Sequence, residues 1–453
     1  MAKYQAYAEY KDSGIEWLGE IPGHWGVTQL KRLGKFITGM TPSTAVEAYY
    51  SDEITEYGWI RPEDILEESE KVEPTKFLTK LGWETQRTIP AQSTLICCIG
   101  TIGKLGFLGK RAVTNQQITA LVPYVRSFSK YYYYLLTASR NQLEHLATGN
   151  VVKILNSERL GSLWLPLLSS QNEARQIVHF LDHETAKIDH LIEKQQQLIE
   201  LLKEKRQAVI SHAVTKGLDP NVLMKDSGVE WLGKVPEHWA VSKLSYVAHG
   251  FNGDRGSNYP SGQDFVDEGI PFISSSELIH SKVDPVYASK ITKEKYNSLG
   301  GLKIKVGDII YCLRGSVGKN GLCEFNEGTI ASSLMGIRCF SLSPYYLLLL
   351  LNSTVEFQQR SNFTTGSVSA NLSAENVMSY KFALPPIKEQ IEIANNLKKV
   401  FEKYDKLILK AESAIQLMQE RRTALISAAV TGKIDVRNWQ APTVTEADTE
   451  LSA

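Results

Sequence analysis

Cysteine is scarce in this chain: five among 453 residues, an odd number with no C-x-x-C pair. That count excludes a disulfide framework and the common zinc modules. Cys97, Cys98 and Cys312 lie in apolar, strand-like runs and are expected to be reduced core residues. Long hydrophobic runs are absent too. The longest, Tyr345-Tyr346-Leu347-Leu348-Leu349-Leu350-Leu351, is far short of the roughly 20 residues that span a bilayer. The opening Met1-Ala2-Lys3-Tyr4-Gln5 carries no apolar secretory segment, so the cytoplasm is the simplest location. Net charge is missing as well, with 50 Lys and Arg against 50 Asp and Glu. A basic surplus is the usual footprint of non-specific nucleic-acid binding, so its absence argues against that mode. The charge is nevertheless uneven. Residues 51–73 hold nine acids against Arg61 and Lys71, whereas residues 74–165 hold eleven Lys and Arg against Glu84, Glu144 and Glu158. Local basic surface is therefore available, and the acidic segment is expected to face elsewhere.

Catalytic signatures are missing in turn. There is no nucleophile elbow, no H-E-x-x-H and no zinc cluster. An Asn/Asp-Pro-Pro-aromatic motif is absent, and Leu384-Pro385-Pro386-Ile387 does not replace it. Gly315-Ser316-Val317-Gly318-Lys319 is not a phosphate loop, because Asn320 follows Lys319, just as Leu105 follows Lys104 in the first copy. No nuclease cluster of carboxylates and lysine is evident. These absences describe a binding module.

What is present is a duplication. Asp12-Ser13-Gly14-Ile15-Glu16-Trp17-Leu18-Gly19-Glu20-Ile21-Pro22-Gly23-His24-Trp25 returns as Asp226-Ser227-Gly228-Val229-Glu230-Trp231-Leu232-Gly233-Lys234-Val235-Pro236-Glu237-His238-Trp239, with ten of fourteen positions identical. Arg206-Gln207-Ala208-Val209-Ile210-Ser211-His212-Ala213-Val214-Thr215 is answered by Arg422-Thr423-Ala424-Leu425-Ile426-Ser427-Ala428-Ala429-Val430-Thr431. Between these anchors the halves match in patches: Gly100–Lys104 with Gly315–Lys319, Thr148-Gly149-Asn150-Val151 with Thr365-Gly366-Ser367-Val368, and Leu165-Pro166 with Leu384-Pro385. Residues 40–95 and 250–305 differ widely. One arm opens the chain and the other follows the first helix, but no arm follows Gly432. The repeat is thus cut mid-unit, as in a circular permutation, and the end of the last helix is expected beside the first arm.

Heptads mark two long helices. Leu181, Ile188, Gln195, Leu202 and Val209 occupy one seam position, with Leu191 and Leu198, then Ile192, Ile199 and Ala213, beside it. Leu397, Tyr404, Ala411, Met418 and Leu425 repeat the register, flanked by Val400, Leu407, Ala414, Phe401, Ile408 and Ile415. An apolar period of 3.5 residues predicts coiled-coil packing, each helix being the other's partner. Gly217 and Gly432 are natural stops, and Pro220 bars continuation. About 35–40 residues per helix correspond to roughly 50–60 Å. In the globular segments, Ile96–Ile99 and Ile309–Leu313 read as buried strands. Tyr131–Tyr134, aligned with Tyr345-Tyr346, reads as a buried helix rather than a base-stacking platform. His24 and His238 read as packing residues.

The twice-repeated Asp-Ser-Gly-x-Glu-Trp-Leu-Gly-x-x-Pro-x-His-Trp, Gly39-Met40-Thr41-Pro42-Ser43, Trp59-Ile60-Arg61-Pro62-Glu63-Asp64-Ile65, Thr-Gly-x-x-Val ahead of Leu-Pro, and the helix ends Arg-x-Ala-x-Ile-Ser-x-Ala-Val-Thr together resemble the specificity subunits of type I restriction–modification systems. The resemblance covers residues 10 to about 437. It implies an α+β chain of two target-recognition domains, each a mixed or antiparallel twisted sheet with small helices. Two long antiparallel coiled-coil helices separate them, in a pseudo-twofold, circularly permuted arrangement. The expected boundaries are an arm (1–25), a first recognition domain (26–166), a central helix (167–217), a linker with the second arm (218–239), a second recognition domain (240–385), a C-terminal helix (386–433) and a flexible tail (434–453).

The resemblance further implies a noncatalytic chain that binds a bipartite, asymmetric site on double-stranded DNA. Two methyltransferase subunits, using S-adenosylmethionine to methylate adenine, would dock on the helices and arms. Restriction–translocase subunits using ATP and Mg would complete the complex, and no cofactor is expected on this chain. Base-edge readout calls for Arg, Lys, Asn, Gln, Ser or Thr on loops. The first domain offers Thr41, Ser43, Arg61, Lys104, Asn115, Gln116 and Gln117. The second offers Asn252, Arg255, Ser274, Ser275, Arg314, Lys319, Ser332 and Ser333. It lacks Gly-x-Thr-Pro-Ser, presenting Gly250-Phe251-Asn252-Gly253-Asp254-Arg255-Gly256 instead. Arg61 and Arg314 are the foremost candidates for guanine or phosphate. Trp17, Trp25, Trp231, Trp239, Arg206 and Arg422 are the candidate partner contacts, and the helix pair is the expected ruler between half-sites. The residues also admit a coiled-coil adaptor that never touches DNA, or a solitary repressor.

Overall fold

The computed structural model describes residues 4–66, 69–364 and 371–441. Two compact units result, one made of Met1–Lys194 with Ser413–Ala453, the other of Gln195–Glu412. The units therefore do not follow the boundaries expected from sequence. Each takes in one arm, one recognition domain and a stretch of both long helices, because an amphipathic helix buries its stripe against whatever it packs on.

In the first unit the arm is a hairpin, Tyr10–Asp12 against Glu20–Pro22. Its repeated motif has a local cause. The Asp12 carboxylate accepts the Gly14 N–H at 2.9 Å, and Gly14 and Gly19 adopt φ of +68° and +60°, where a Cβ is disfavoured. Asp226, Gly228 and Gly233 repeat this geometry in the second unit. Behind the arm, Gly26–Gln29 pairs with Trp164–Leu167. The recognition domain holds an antiparallel sheet ordered Gly34–Thr38, Ile118–Pro123, Thr94–Cys97, Leu105–Phe107. Val113–Thr114, Gly58–Ile60, Lys76–Leu78 and Tyr50–Ser51 form a second, mixed sheet, its first pair parallel.

The second unit repeats the first sheet as Ala248–Asn252, Leu334–Cys339, Ile309–Cys312, Asn320–Leu322 and extends it by the hairpin Leu278–Ile279 and Lys282–Val283. The two-residue turn of that hairpin, His280 and Ser281, has φ of +48° and +61°, the double positive φ that matches strand twist in a tight hairpin. Its mixed sheet runs Phe265–Val266, Ser289–Ile291, Ile270–Ile273, Thr329–Ile330.

The long helices are Gln171–Lys216 and Ile387–Val430, of 46 and 44 residues. Both begin well before the heptads do and exceed the expected length. Gly217 and Gly432, at φ of +78° and +76°, follow their C-terminal ends as anticipated. Within the first unit Asp189 of one helix meets Arg422 of the other at 2.8 Å, and Trp439, past the end of the second helix, packs edge-on against Phe180. In the second unit Arg206 pairs with Asp405, and Gly217 lies beside Glu389. Leu181, Ile188, Leu397 and Leu425 are buried at the seam, but Leu198 and Leu407 remain 41% and 46% exposed.

Tyr131–Tyr134 are all buried in the helix Ser129–Ala138. The Tyr131 hydroxyl donates to the Val430 carbonyl at 3.2 Å, and the Tyr346 hydroxyl lies between the Ala383 and Val214 carbonyls, at 3.0 and 3.3 Å. Tyr131 thereby satisfies a last-turn carbonyl that the helix leaves unpaired, and Tyr346 stands at the matching carbonyl of the other helix. Tyr131 thus corresponds to Tyr346. Cys97, Cys98 and Cys312 are buried free thiols, and burial pushes Cys97 up to about 12 and Cys98 to about 11.

The expected flexible tail is corrected. Asp435 bridges to Gln5, Lys433 donates to the Glu20 carbonyl at 2.6 Å, Ile434 and Val436 are buried, and Trp439 packs on Phe180. Residues 434–441 therefore close the first unit's core around the arm, and residues 442–453 lie outside the described residues. The end of the last helix does meet the first arm. Of the repeated Thr-Gly-x-x-Val motif, Thr365–Val368 also lies outside them.

Candidate nucleic-acid interface

Main-chain hydrogen bonds bring the first unit's candidates onto one set of loops. A Cβ at Gly39 would stand 2.2 Å from the Thr114 carbonyl oxygen, so only glycine lets the loop bearing Thr41 and Ser43 lie on the turn Asn115–Gln117. The Thr41 hydroxyl then bonds the Gln116 side chain. Asn115 donates its N–H to the Ile60 carbonyl at 2.9 Å, next to Arg61, and Cys98 donates to the Gln117 carbonyl at 2.7 Å. The side chains of Asn115 and Gln117 bond each other at 2.9 Å.

The second unit uses the same grid with different side chains. A Cβ at Gly253 would stand 2.5 Å from the Ala331 carbonyl, so Gly253 replaces Gly39 and Arg255 takes the place of Thr41. Ala331 donates to the Ile273 carbonyl at 2.8 Å and Leu313 to the Ser333 carbonyl at 2.9 Å. Ser332 and Ser333 thereby stand where Gln116 and Gln117 stand, and Ser274 and Ser275 where Arg61 and Pro62 do. Asn252, at the end of its strand, is exposed.

Both turns are pinned by an acid that residue types alone did not single out. The Asp64 carboxylate, 2% exposed, accepts the Arg61 N–H at 2.8 Å, and the Glu277 carboxylate, 8% exposed, accepts the Ser274 N–H at 2.6 Å. Burial pushes the Glu277 carboxyl up, but hydrogen bonds from Ser276 and Ser274 outweigh it and leave the group below its ordinary range. The strand-turn-acid spacing Ile60-x-x-x-Asp64 and Ile273-x-x-x-Glu277 was the signal in the sequence that could have found them.

Arg61, one of the two foremost candidates, is engaged inside its own unit: it pairs with Glu63 at 2.8 Å, donates to Thr75 at 3.0 Å and lies over the Trp59 ring. The acidic segment therefore does not face elsewhere as a whole, since Glu63 and Asp64 share the turn with Arg61. Lys104 and Lys319 are also engaged, donating to the Pro62 and Ser275 carbonyls at 2.9 and 2.7 Å. Arg255 and Arg314 are exposed, and among the described residues neither side chain has a hydrogen bond or ion pair.

The candidate partner contacts divide. Trp25 and Trp239 are each 1% exposed, which corrects their assignment to a docking surface. Their indole N–H groups donate to Glu173 at 3.1 Å and Glu389 at 3.0 Å, in the first turns of the long helices. His24 and His238 bond the same two carboxylates at 3.0 and 2.8 Å, so the repeated His-Trp pair locks each arm onto a helix. Arg422 is 8% exposed and bound to Asp189, again a core role, while Arg206 pairs with Asp405 and stacks on Phe401. Trp17 donates to the Trp164 carbonyl at 3.2 Å, and Trp231 is half-buried. Among the described residues no group of three or more His, Cys, Asp or Glu is placed to hold a metal ion, and no helix is long and apolar enough to cross a membrane.

The chain is similar to the MjaVIII specificity subunit of a type I restriction enzyme from Methanocaldococcus jannaschii, 21% identical over 92% of this chain and 95% of that one. It is 29% identical to the HindI specificity subunit from Haemophilus influenzae over 138 residues, which is 30% of this chain and 29% of that one. A solved structure concerning complex assembly and conformational transition of the type I R-M system shares its fold, with a TM-score of 0.68 at 14% identity over 90% of this chain and 98% of that one. The family described as type I restriction modification DNA specificity domain matches residues 22–201 and 236–416, and the chain belongs to it.

Proposed function

We propose that this chain reads a bipartite, asymmetric DNA site, one half per recognition domain, and directs adenine methylation and restriction carried out by partner subunits. The observation that carries the proposal is the pair of loop clusters built on one main-chain grid with different side chains. Thr41, Gln116, Gln117 and Arg61 in one unit are answered by Arg255, Ser332, Ser333 and Ser274 in the other. Identical support with unlike polar tips is what two readers of unlike half-sites require, since bases are told apart by the donors and acceptors offered to their edges. In this reading the chain performs no chemistry itself. Two methyltransferase subunits supply S-adenosylmethionine-dependent transfer, and the restriction subunits use ATP and Mg. The helices set the distance between half-sites.

The test is a binding selection from random duplexes, using the chain co-purified with its methyltransferase subunits. Enrichment of two unlike half-sites at a fixed separation is expected, with methylated adenine in each when S-adenosylmethionine is supplied. Enrichment of a palindrome, or of nothing, overturns the proposal, the latter outcome favouring a protein adaptor.

A further inference from the structure

We infer that Lys104 and Lys319 are positioning residues that latch the reading loop of each recognition domain, and so set sequence discrimination without touching DNA; the inference rests on the DNA-reading function proposed above. The two lysines close the same turn. Gly100 and Gly103 have φ of +80° and +76°, and Gly315 and Gly318 have φ of +75° and +90°. Gly103 donates to the Cys97 carbonyl at 3.2 Å and Gly318 to the Cys312 carbonyl at 3.1 Å, while Cys97 and Cys312 donate to the carbonyls of Lys104 and Lys319 at 2.9 and 2.8 Å. The turn is thus fastened to a central buried strand in each unit, which makes it a rigid base for whatever its lysine holds.

What each lysine holds is the carbonyl of the second residue of the reading turn, Pro62 at 2.9 Å and Ser275 at 2.7 Å. On its other side the same turn is held by Asp64 or Glu277 through the N–H of the residue before. Arg61 and Ser274 therefore sit in a backbone segment gripped at two points, one buried and one at the surface. The turns themselves differ completely, Arg61-Pro62-Glu63-Asp64 against Ser274-Ser275-Ser276-Glu277, yet the lysine and its main-chain acceptor are the same in both. A main-chain acceptor explains this: the latch does not depend on which side chains the turn presents, so the reader can change while the grip stays. An ammonium suits the task, since it offers three donors on a flexible stem and bonds a carbonyl strongly.

Lys104→Met and Lys319→Met in the intact complex, assayed on its selected duplex and on single-base variants of each half-site, test this. Discrimination in the half-site read by the altered domain is expected to fall about tenfold, the other half-site being unaffected. The salt dependence of affinity should stay as in the wild type, and Lys104→Arg and Lys319→Arg, which keep a charged donor, should restore discrimination. A uniform loss across sequences, with the salt slope lowered by about one, would make the lysines phosphate contacts and overturn the inference. Unchanged discrimination, or a large fall in melting temperature in both Met variants, overturns it too. A wild-type complex without base preference would instead overturn the proposed function.

Discussion

Glu173 accepts from Tyr7 at 2.8 Å, from Trp25 and from His24, and is 5% exposed. Glu389 accepts only from His238 and Trp239 among the described residues and is 28% exposed at its side chain. Removing a buried acceptor strands its donors, at about 1–3 kcal/mol apiece when water cannot replace it. Glu173→Ala is therefore expected to destabilise its unit by about 3 kcal/mol and Glu389→Ala by about 1 kcal/mol, readable from denaturant melts. Equal losses would contradict the burial difference. Glu277 gives a pH test. Its folded carboxyl titrates below the unfolded one, so its contribution is complete above the unfolded value near 4.5 and is lost as pH falls through the folded value. Acid melts of Glu277→Gln should accordingly show a shallower fall in stability below about pH 4.5 than the wild type; an identical slope would sink the assignment.

The long helices carry their information as register. Asp189 with Arg422 and Arg206 with Asp405 mark it in the two units, and both pairs rest on heptads legible in the residues. Deleting seven residues inside 185–205, with the matching seven removed from the other helix to preserve register, shortens the spacer by about 10 Å at roughly 1.5 Å per residue, about three base pairs of DNA. The expected result of a binding selection is an altered separation between half-sites whose own sequences are unchanged. Unaltered separation would refute the ruler. The hairpin through His280 and Ser281 was not legible at this scale, because neither residue is the glycine or asparagine that normally announces two consecutive positive φ values.

At the scale of the whole molecule the cut repeat has a direct consequence. The first unit is closed by residues from both ends of the described chain, with Asp435 on Gln5 and the Tyr10 hydroxyl on the Gly432 carbonyl at 3.0 Å. A permuted chain, opened at Pro220 and joined from Ala441 to Tyr4 by a short flexible linker, should keep its fold and, on the proposed function, direct its partner subunits to the same methylation pattern. Circular dichroism and methylome sequencing would check this, and loss of folding would mean that the opened segment is part of a core. Asp219, Pro220 and Asn221 are exposed, which is why the cut belongs there.

Repeats, heptads and glycine stops are properties of order along the chain, so the amino-acid sequence alone determined the duplication, the helix pair, the permutation and the family. Which polar groups are free is a property of neighbours brought from far away, and only the tertiary structure decided it. Arg61 and Lys104 look like free cations in sequence, yet Glu63 and Thr75 take up one and the Pro62 carbonyl the other. Trp25 and Trp239 look like docking anchors, yet their N–H groups are consumed by carboxylates 148 and 150 residues away. Burying an indole requires an acceptor for its N–H, and that acceptor is set by packing rather than by any local pattern of residues.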